Sequence, residues 1–181
     1  VFVSMADELI SELEDSPGID APAGRLVLIG AELDNPHYVE VIEGMGAPVV
    51  ADLLCFGARS VLDAIDENSP DPLEAIARRY FFSHSCARMI GAFPQRWENL
   101  RETMEKARAD GLVFVRQMFC DPWGAEVHNV LHRTCAGDGF PVLTLTMEYG
   151  IVPTGQLRTR VQAFLEKIEI ARAQKKAAGK T

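Results

Sequence analysis

The sequence predicts a three-layer α/β domain on a doubly wound parallel sheet of about four strands, because short apolar runs alternate along it with longer helical patterns. Runs at 25–30, 47–51, 112–115 and 141–145 are rich in leucine and β-branched residues and show little alternation. Strands buried on both faces of a parallel sheet read this way. Between them lie helical stretches at 37–44, 58–88 (irregular), 96–110 and 124–135, with a last one at 154–175.

Each element has a local reason. The acidic opening VFVSMADELISELED has helical spacing, and Ser16-Pro17-Gly18 with Pro22-Ala23-Gly24 breaks the chain before the first apolar run. Gly44 and Gly46 stop the helix at 37–44, and Gly137 and Gly139 turn the chain towards the last strand. In the passage from helix to strand at 105–115, Ala107 and Leu112 are apolar while Lys106, Arg108 and Asp110 are expected to face water. Right-handed crossovers then give a flavodoxin-like or Rossmann-like lobe. The expected organisation is an N-terminal helix and connector at 1–24, the lobe at 25–175, and a disordered basic tail at 176–181.

At 181 residues the chain can bury a substantial core, and 48% hydrophobic with 24% charged residues is ordinary for a globular protein. No apolar run approaches the roughly 18 residues of a membrane span. A net charge of −8 with a pI near 5.0 offers no footprint for nucleic acid. Asp7, Glu8 and Glu12 interrupt the apolar positions of the opening segment, so it does not read as a secretory signal, and a reducing cytoplasm is the expected setting. A start at Val1 suggests a piece of something longer.

In an open parallel sheet ligands bind beyond the carboxyl ends of the strands. Four loops meet there, at 31–36, 54–59, 119–123 and 146–150. They bring Cys55, Cys120, Arg59, Tyr149 and several carboxylates to one edge, and leave Cys135 on the opposite side. Cys120 stands out because Asp121-Pro122 follows it at the start of a helix. A helix N-terminus favours the thiolate, the form that a metal or an electrophile needs. Cys55 reads equally well as packing, and Cys86 lies two residues from His84, which points them to different helix faces.

Other chemistries lack support. His128 and His132 share a helix face with Cys135 nearby, but Asn129 stands where a zinc protease of the His-Glu-x-x-His kind needs glutamate. A structural metal site there is conceivable, and two surface histidines are the default. There is no Gly-x-Ser-x-Gly elbow, no Walker-type loop, and no Gly-x-Gly-x-x-Gly after the first strand, where Ala31 and Glu32 follow Gly30.

The ordered residues do resemble a family. Asp34-Asn35-Pro36 follows the first strand, Asp52 precedes Cys55-x-Gly57-x-Arg59, and Asp71-Pro72 precedes Ile76-Ala77-Arg78-Arg79-Tyr80. Asp110-Gly111 then leads to Phe119-Cys120-Asp121-Pro122 and Glu126, with Gly155-Gln156-Leu157-Arg158-Thr159-Arg160 after them. Over residues 25–170 this order resembles the C-terminal portion of 2-hydroxyglutaryl-CoA dehydratase-like subunits and of benzoyl-CoA reductase subunits.

The resemblance implies an iron–sulfur enzyme of anaerobic metabolism, either a lyase or an oxidoreductase, doing ATP-driven one-electron radical chemistry on a CoA thioester. It implies a 4Fe–4S cluster with Cys120 as the one ligand from this chain, two further cysteines belonging to an N-terminal part. It also implies a second homologous subunit, an ATP-dependent iron–sulfur activator protein and an acyl-CoA substrate. On that reading the chain alone is inactive. The family's two acids before the Cys55 loop appear here as Asp52-Leu53, and its Cys-Pro-Cys-like element appears as Ser83-His84-Ser85-Cys86. The competing reading is a non-catalytic flavodoxin-like binding or assembly module with Cys120 buried.

Overall fold

A computed structural model of the chain describes residues 1–61, 63–82, 86–136, 139–150 and 154–178. Along the chain run α1 (Phe2–Glu14), β1 (Leu26–Gly30), α2 (His37–Glu43), β2 (Val49–Leu54), α3 (Pro72–Phe82), α4 (Phe93–Lys106), β3 (Gly111–Gln117), α5 (Asp121–Cys135), β4 (Val142–Met147) and α6 (Thr154–Ala178). Every strand pair is parallel and the order is β2-β1-β3-β4. This is the doubly wound three-layer α/β sheet that the alternation predicts.

Strand periodicity explains the layers. Leu26 and Leu28 of β1, with Val113 and Val115 of β3, face a core closed by Tyr38 and Ile42 of α2 and Val161 and Phe164 of α6. Val27 and Ile29, with Leu112 and Phe114, face the other side, where Trp97 and Leu100 of α4 and Trp123 and Val130 of α5 close a second core. Burying each such side chain is worth roughly 1.5–3 kcal/mol, so neither face of the two central strands can be exposed cheaply. Because α2 and α5 leave the adjacent strands β1 and β3 towards opposite layers, a crevice opens between them at the carboxyl edge.

Two glycines are dictated by close approach. Gly30 has φ 133°, and a Cβ there would stand 1.9 Å from the carbonyl oxygen of Val115. At Gly111 a Cβ would lie 2.7 Å from both Ile168 and Phe164, so α6 packs on β3 only because the side chain is missing.

Several boundaries move for visible reasons. The expected strand at 47–51 is found at Val49–Leu54, after Pro48, which has no N–H to give to a ladder. The stretch 58–88 breaks into a 3₁₀ turn at Ala58–Ser60 and helix α3, whose start is capped by Asp71 Oδ1 accepting from the backbone N–H of Leu73 at 2.9 Å and Glu74 at 3.2 Å. Helices α4 and α5 start earlier than their apolar periodicity because each takes a proline into its first turn. Asp110 does not face water as expected. Its Oδ2 accepts the backbone N–H of Arg25 at 2.8 Å and its Oδ1 accepts from Arg172 Nε at 2.9 Å, tying α6 to the amino end of the sheet.

Helix α1 buries none of its residues. Ser83, His84 and Ser85, Gly137, and residues 179–181 of the expected tail lie outside the described residues. No helix among the described residues is long and apolar enough to cross a membrane.

Candidate functional site

Four loops leave the carboxyl ends of the strands, and each is organised by its own polar contacts. After β2, Asp52 Oδ1 accepts the N–H groups of Leu54 at 3.2 Å and Ala58 at 3.1 Å. A Cβ at Gly57 would stand 2.0 Å from that same oxygen, so Asp52 and Gly57 form a unit. Arg59 donates from Nη2 to the carbonyl of Cys55 at 3.1 Å. The sequence places Arg59 at this edge, and in the structure it holds the Cys55 backbone.

After β3 the chain turns through Phe119, which has φ 65° and is 93% exposed. A bulky residue at positive φ is strained and persists only where its surroundings enforce it. Cys120 follows as the N-cap of α5, and its carbonyl accepts the N–H of Gly124 at 2.9 Å. After β1 and β4 the loops are joined, because the hydroxyl of Tyr149 donates to Glu32 and the N–H of Gly150 donates to Asp34 Oδ2 at 3.2 Å.

These loops enclose a cavity of about 230 Å³ whose wall includes Ala31, Cys55, Cys86, Gln117, Cys120 and Tyr149. Sequence expected Cys120 here and left Cys55 and Cys86 open, and the structure brings all three cysteines to this cavity. Trp123 Nε1–H donates to Cys55 Sγ at 3.0 Å. Burial pushes the Cys55 thiol up, against the opposing pull of the indole N–H and of Arg59. The carboxylate of Glu32 pushes the Tyr149 hydroxyl up to about 12. Beyond Arg88 and Pro122 lies a second, more open hollow of about 540 Å³ with Ile90 and Asn129 in its wall.

Sequence reasoning missed the pair behind this wall. Arg96 of α4 and Glu126 of α5 are both buried and form a two-pronged ion pair, Nε to Oε1 at 2.5 Å and Nη2 to Oε2 at 2.9 Å. Arg96 Nη1 also donates to the carbonyls of Cys86 at 3.0 Å and Met89 at 2.8 Å. Glu126 stood in the quoted motif, but nothing in a single sequence marks Arg96 as its partner.

Other candidates are not brought together. His128, His132 and Cys135 are exposed along α5. Among the described residues no three His, Cys, Asp or Glu side chains converge so as to bind one metal ion, which removes the structural metal site considered there. Arg160 donates to the carbonyl of Thr144 in β4 and thus serves the sheet. Helix α6 begins at Thr154 itself.

Fold and site together define a doubly wound α/β lobe with a thiol-lined cavity at its switch point. The match to the family model of the 2-hydroxyglutaryl-CoA dehydratase D-component extends over residues 1–168, and the chain belongs to that family. Among its relatives is the Escherichia coli (strain K12) protein YjiM, named provisionally as a dehydratase subunit and 26% identical over 168 residues, covering 91% of this chain and 43% of that protein. The beta subunit of lactoyl-CoA dehydratase from Anaerotignum propionicum is 22% identical, with 91% and 44% covered. The (R)-phenyllactyl-CoA dehydratase beta subunit from Clostridium sporogenes is 22% identical, with 80% and 38% covered. The chain thus spans less than half the length of these relatives.

Proposed function

We propose that this chain is one lobe of an iron–sulfur 2-hydroxyacyl-CoA dehydratase subunit, in which Cys120 holds a 4Fe–4S cluster at the carboxyl edge. The observation that carries the reading is Cys120 itself, at the start of α5, lining the switch-point cavity. The donor set suits such a group. Thiolates are the ligands of iron–sulfur clusters, and a cubane seats its cysteines on different irons, so they stand further apart than the donors of a single ion. Cys55, Cys86 and Cys120 stand among the residues that line this cavity.

When bound, the cluster would supply a low-potential electron and an open iron for a thioester or hydroxyl oxygen. The chain's own residues do the rest. Ala31, Pro122 and Trp123 supply the apolar part of the wall beside the thiols. Tyr149 keeps its proton at Oη and donates it to Glu32, so its hydroxyl oxygen can only accept a further hydrogen bond. The hollow beyond Arg88 offers room for the acyl or pantetheine part of a CoA thioester. A second homologous subunit and an ATP-dependent activator complete the system in this reading. The names of the relatives favour dehydration over the ring reduction of benzoyl-CoA reductases.

The test is to prepare the chain anaerobically within its complete complex and assay loss of water from 2-hydroxyacyl-CoA esters with activator and ATP. C120S should lose both iron and turnover. Full iron and turnover in C120S would overturn the assignment.

A further inference from the structure

Gln117 is the last residue of β3 and stands in the cavity wall with only 7% of its surface exposed. Burying an amide without partners costs free energy, so nearly all buried amides are hydrogen-bonded. This one is not. No polar contact among the described residues involves its side chain, yet no unpartnered side-chain oxygen or nitrogen among them is completely shut off. Both amide atoms of Gln117 therefore keep accessible surface, at a residue that lines the cavity.

Its backbone is fixed. The Gln117 carbonyl accepts the N–H of Cys120 at 3.1 Å, which closes a four-residue turn through Phe119 at φ 65°, and Met118 N–H donates to the Met147 carbonyl at 2.8 Å. This turn brings Gln117 and Cys120 to the same cavity. Other polar side chains of the wall have narrower capacities, because Glu32 and Tyr149 hold each other and Arg88 can only donate. The primary amide offers a donor and an acceptor side by side.

We propose that the Gln117 amide recognises the 2-hydroxy thioester group, its Oε1 accepting from the substrate hydroxyl and its Nε2 donating to the thioester carbonyl. The inference rests on the dehydratase reading and assigns the residue that selects that enzyme's substrate. A 2-hydroxyacyl thioester carries its hydroxyl and carbonyl oxygens on neighbouring carbons, so both bonds can form together. Each of those oxygens keeps a lone pair for a further partner. A saturated or 2-enoyl ester has no hydroxyl and leaves Oε1 unmet, so the same contact favours substrate over product.

The test is calorimetric binding to the complete complex, kept anaerobic and without activator or ATP so that nothing turns over. The wild type should bind 2-hydroxybutanoyl-CoA about tenfold more tightly than butanoyl-CoA, the size expected when one buried hydrogen-bonding group loses its partner. In Q117M, with its iron content unchanged, that ratio should fall to about one. Q117E keeps the acceptor but loses the donor, so its ratio should persist while both esters bind more weakly. Wild-type affinity for both esters in Q117E would overturn the proposal, as would an undiminished ratio in Q117M, whether or not the cluster potential shifts. If the wild-type complex still dehydrates 2-hydroxyacyl-CoA esters with activator and ATP, either result sinks the inference alone. A wild-type complex that binds neither ester would sink the dehydratase reading, and the inference with it.

Discussion

Tyr149 donates its hydroxyl proton to the carboxylate of Glu32, which joins the loop after β4 to the loop after β1 across the mouth of the cavity. Ionising the phenol would place a second negative charge beside Glu32, so the hydroxyl is pushed up to about 12. Its folded value lies above the ordinary tyrosine value of about 10. The contact is therefore fully present below that ordinary value and is lost as pH rises through about 12. In a spectrophotometric titration, Y149F should delete a late tyrosinate step, and E32Q should move that step back towards the ordinary range. Burial also pushes the Tyr38 hydroxyl up, so one late step should survive in Y149F, and a titration unchanged by Y149F would show that Tyr149 does not titrate late.

Asp110 gives the acid-side counterpart at the other end of the sheet. Burial alone would raise its carboxyl, but hydrogen bonds from Arg172 and from the Arg25 backbone, with both positive charges, outweigh it and hold the carboxyl below its usual value. A depressed carboxyl contributes stability above its unfolded value of about 3.9 and loses it as pH falls through the lower folded value. D110N should therefore melt below the wild type at neutral pH, by about 1–3 kcal/mol. The gap should close in acid. A gap that stayed constant with pH would mean that packing, and not charge, is what Asp110 provides.

The parallel sheet and its two covered faces were legible because burial on both sides writes itself into sequence as unbroken apolar runs, as in Leu26-Val27-Leu28-Ile29. The place of Cys120 at the carboxyl edge was legible because a strand end, a proline in the first helical turn and a family motif coincide on it. Cys86 was not, since its place depends on a hydrogen bond from Arg96, ten residues away, and on an ion pair thirty residues long, which no local period encodes. Asp110 was misjudged for the same reason. Its partner Arg172 lies sixty-two residues further on, in a helix whose polar residues otherwise look solvated.

Phe119 should report on strain at the site. A left-handed backbone at a bulky residue costs on the order of 1–3 kcal/mol, and its ring, 93% exposed, recovers little of that by burial. F119G should thus leave the isolated chain at least as stable as the wild type, measured by urea unfolding. In the complete complex the same change should lower turnover or weaken assembly, because strain kept beside Cys120 implies a use for an exposed ring there. A destabilised F119G chain would instead show that the ring packs against something within this lobe.

The Arg96–Glu126 pair allows the strongest separation of stability from function. Removing one partner of a buried ion pair leaves the other charge uncompensated, so E126L should cost about 3–5 kcal/mol in chemical unfolding. The double variant R96M/E126L removes both charges, and replacements of that kind in other buried pairs are often neutral or stabilising. Here Arg96 also serves the carbonyls of Cys86 and Met89, which the double variant leaves without that donor at about 1–3 kcal/mol each where they stay buried. We therefore expect R96M/E126L to be more stable than E126L yet less stable than the wild type. Alkylation of Cys86 under native conditions should be faster in it than in the wild type, because the loop is no longer tied to α5. Partial recovery of stability with Cys86 still labelled fast would assign the pair to positioning. A wild-type labelling rate in the double variant would show that the Cys86 loop keeps its place without the clamp.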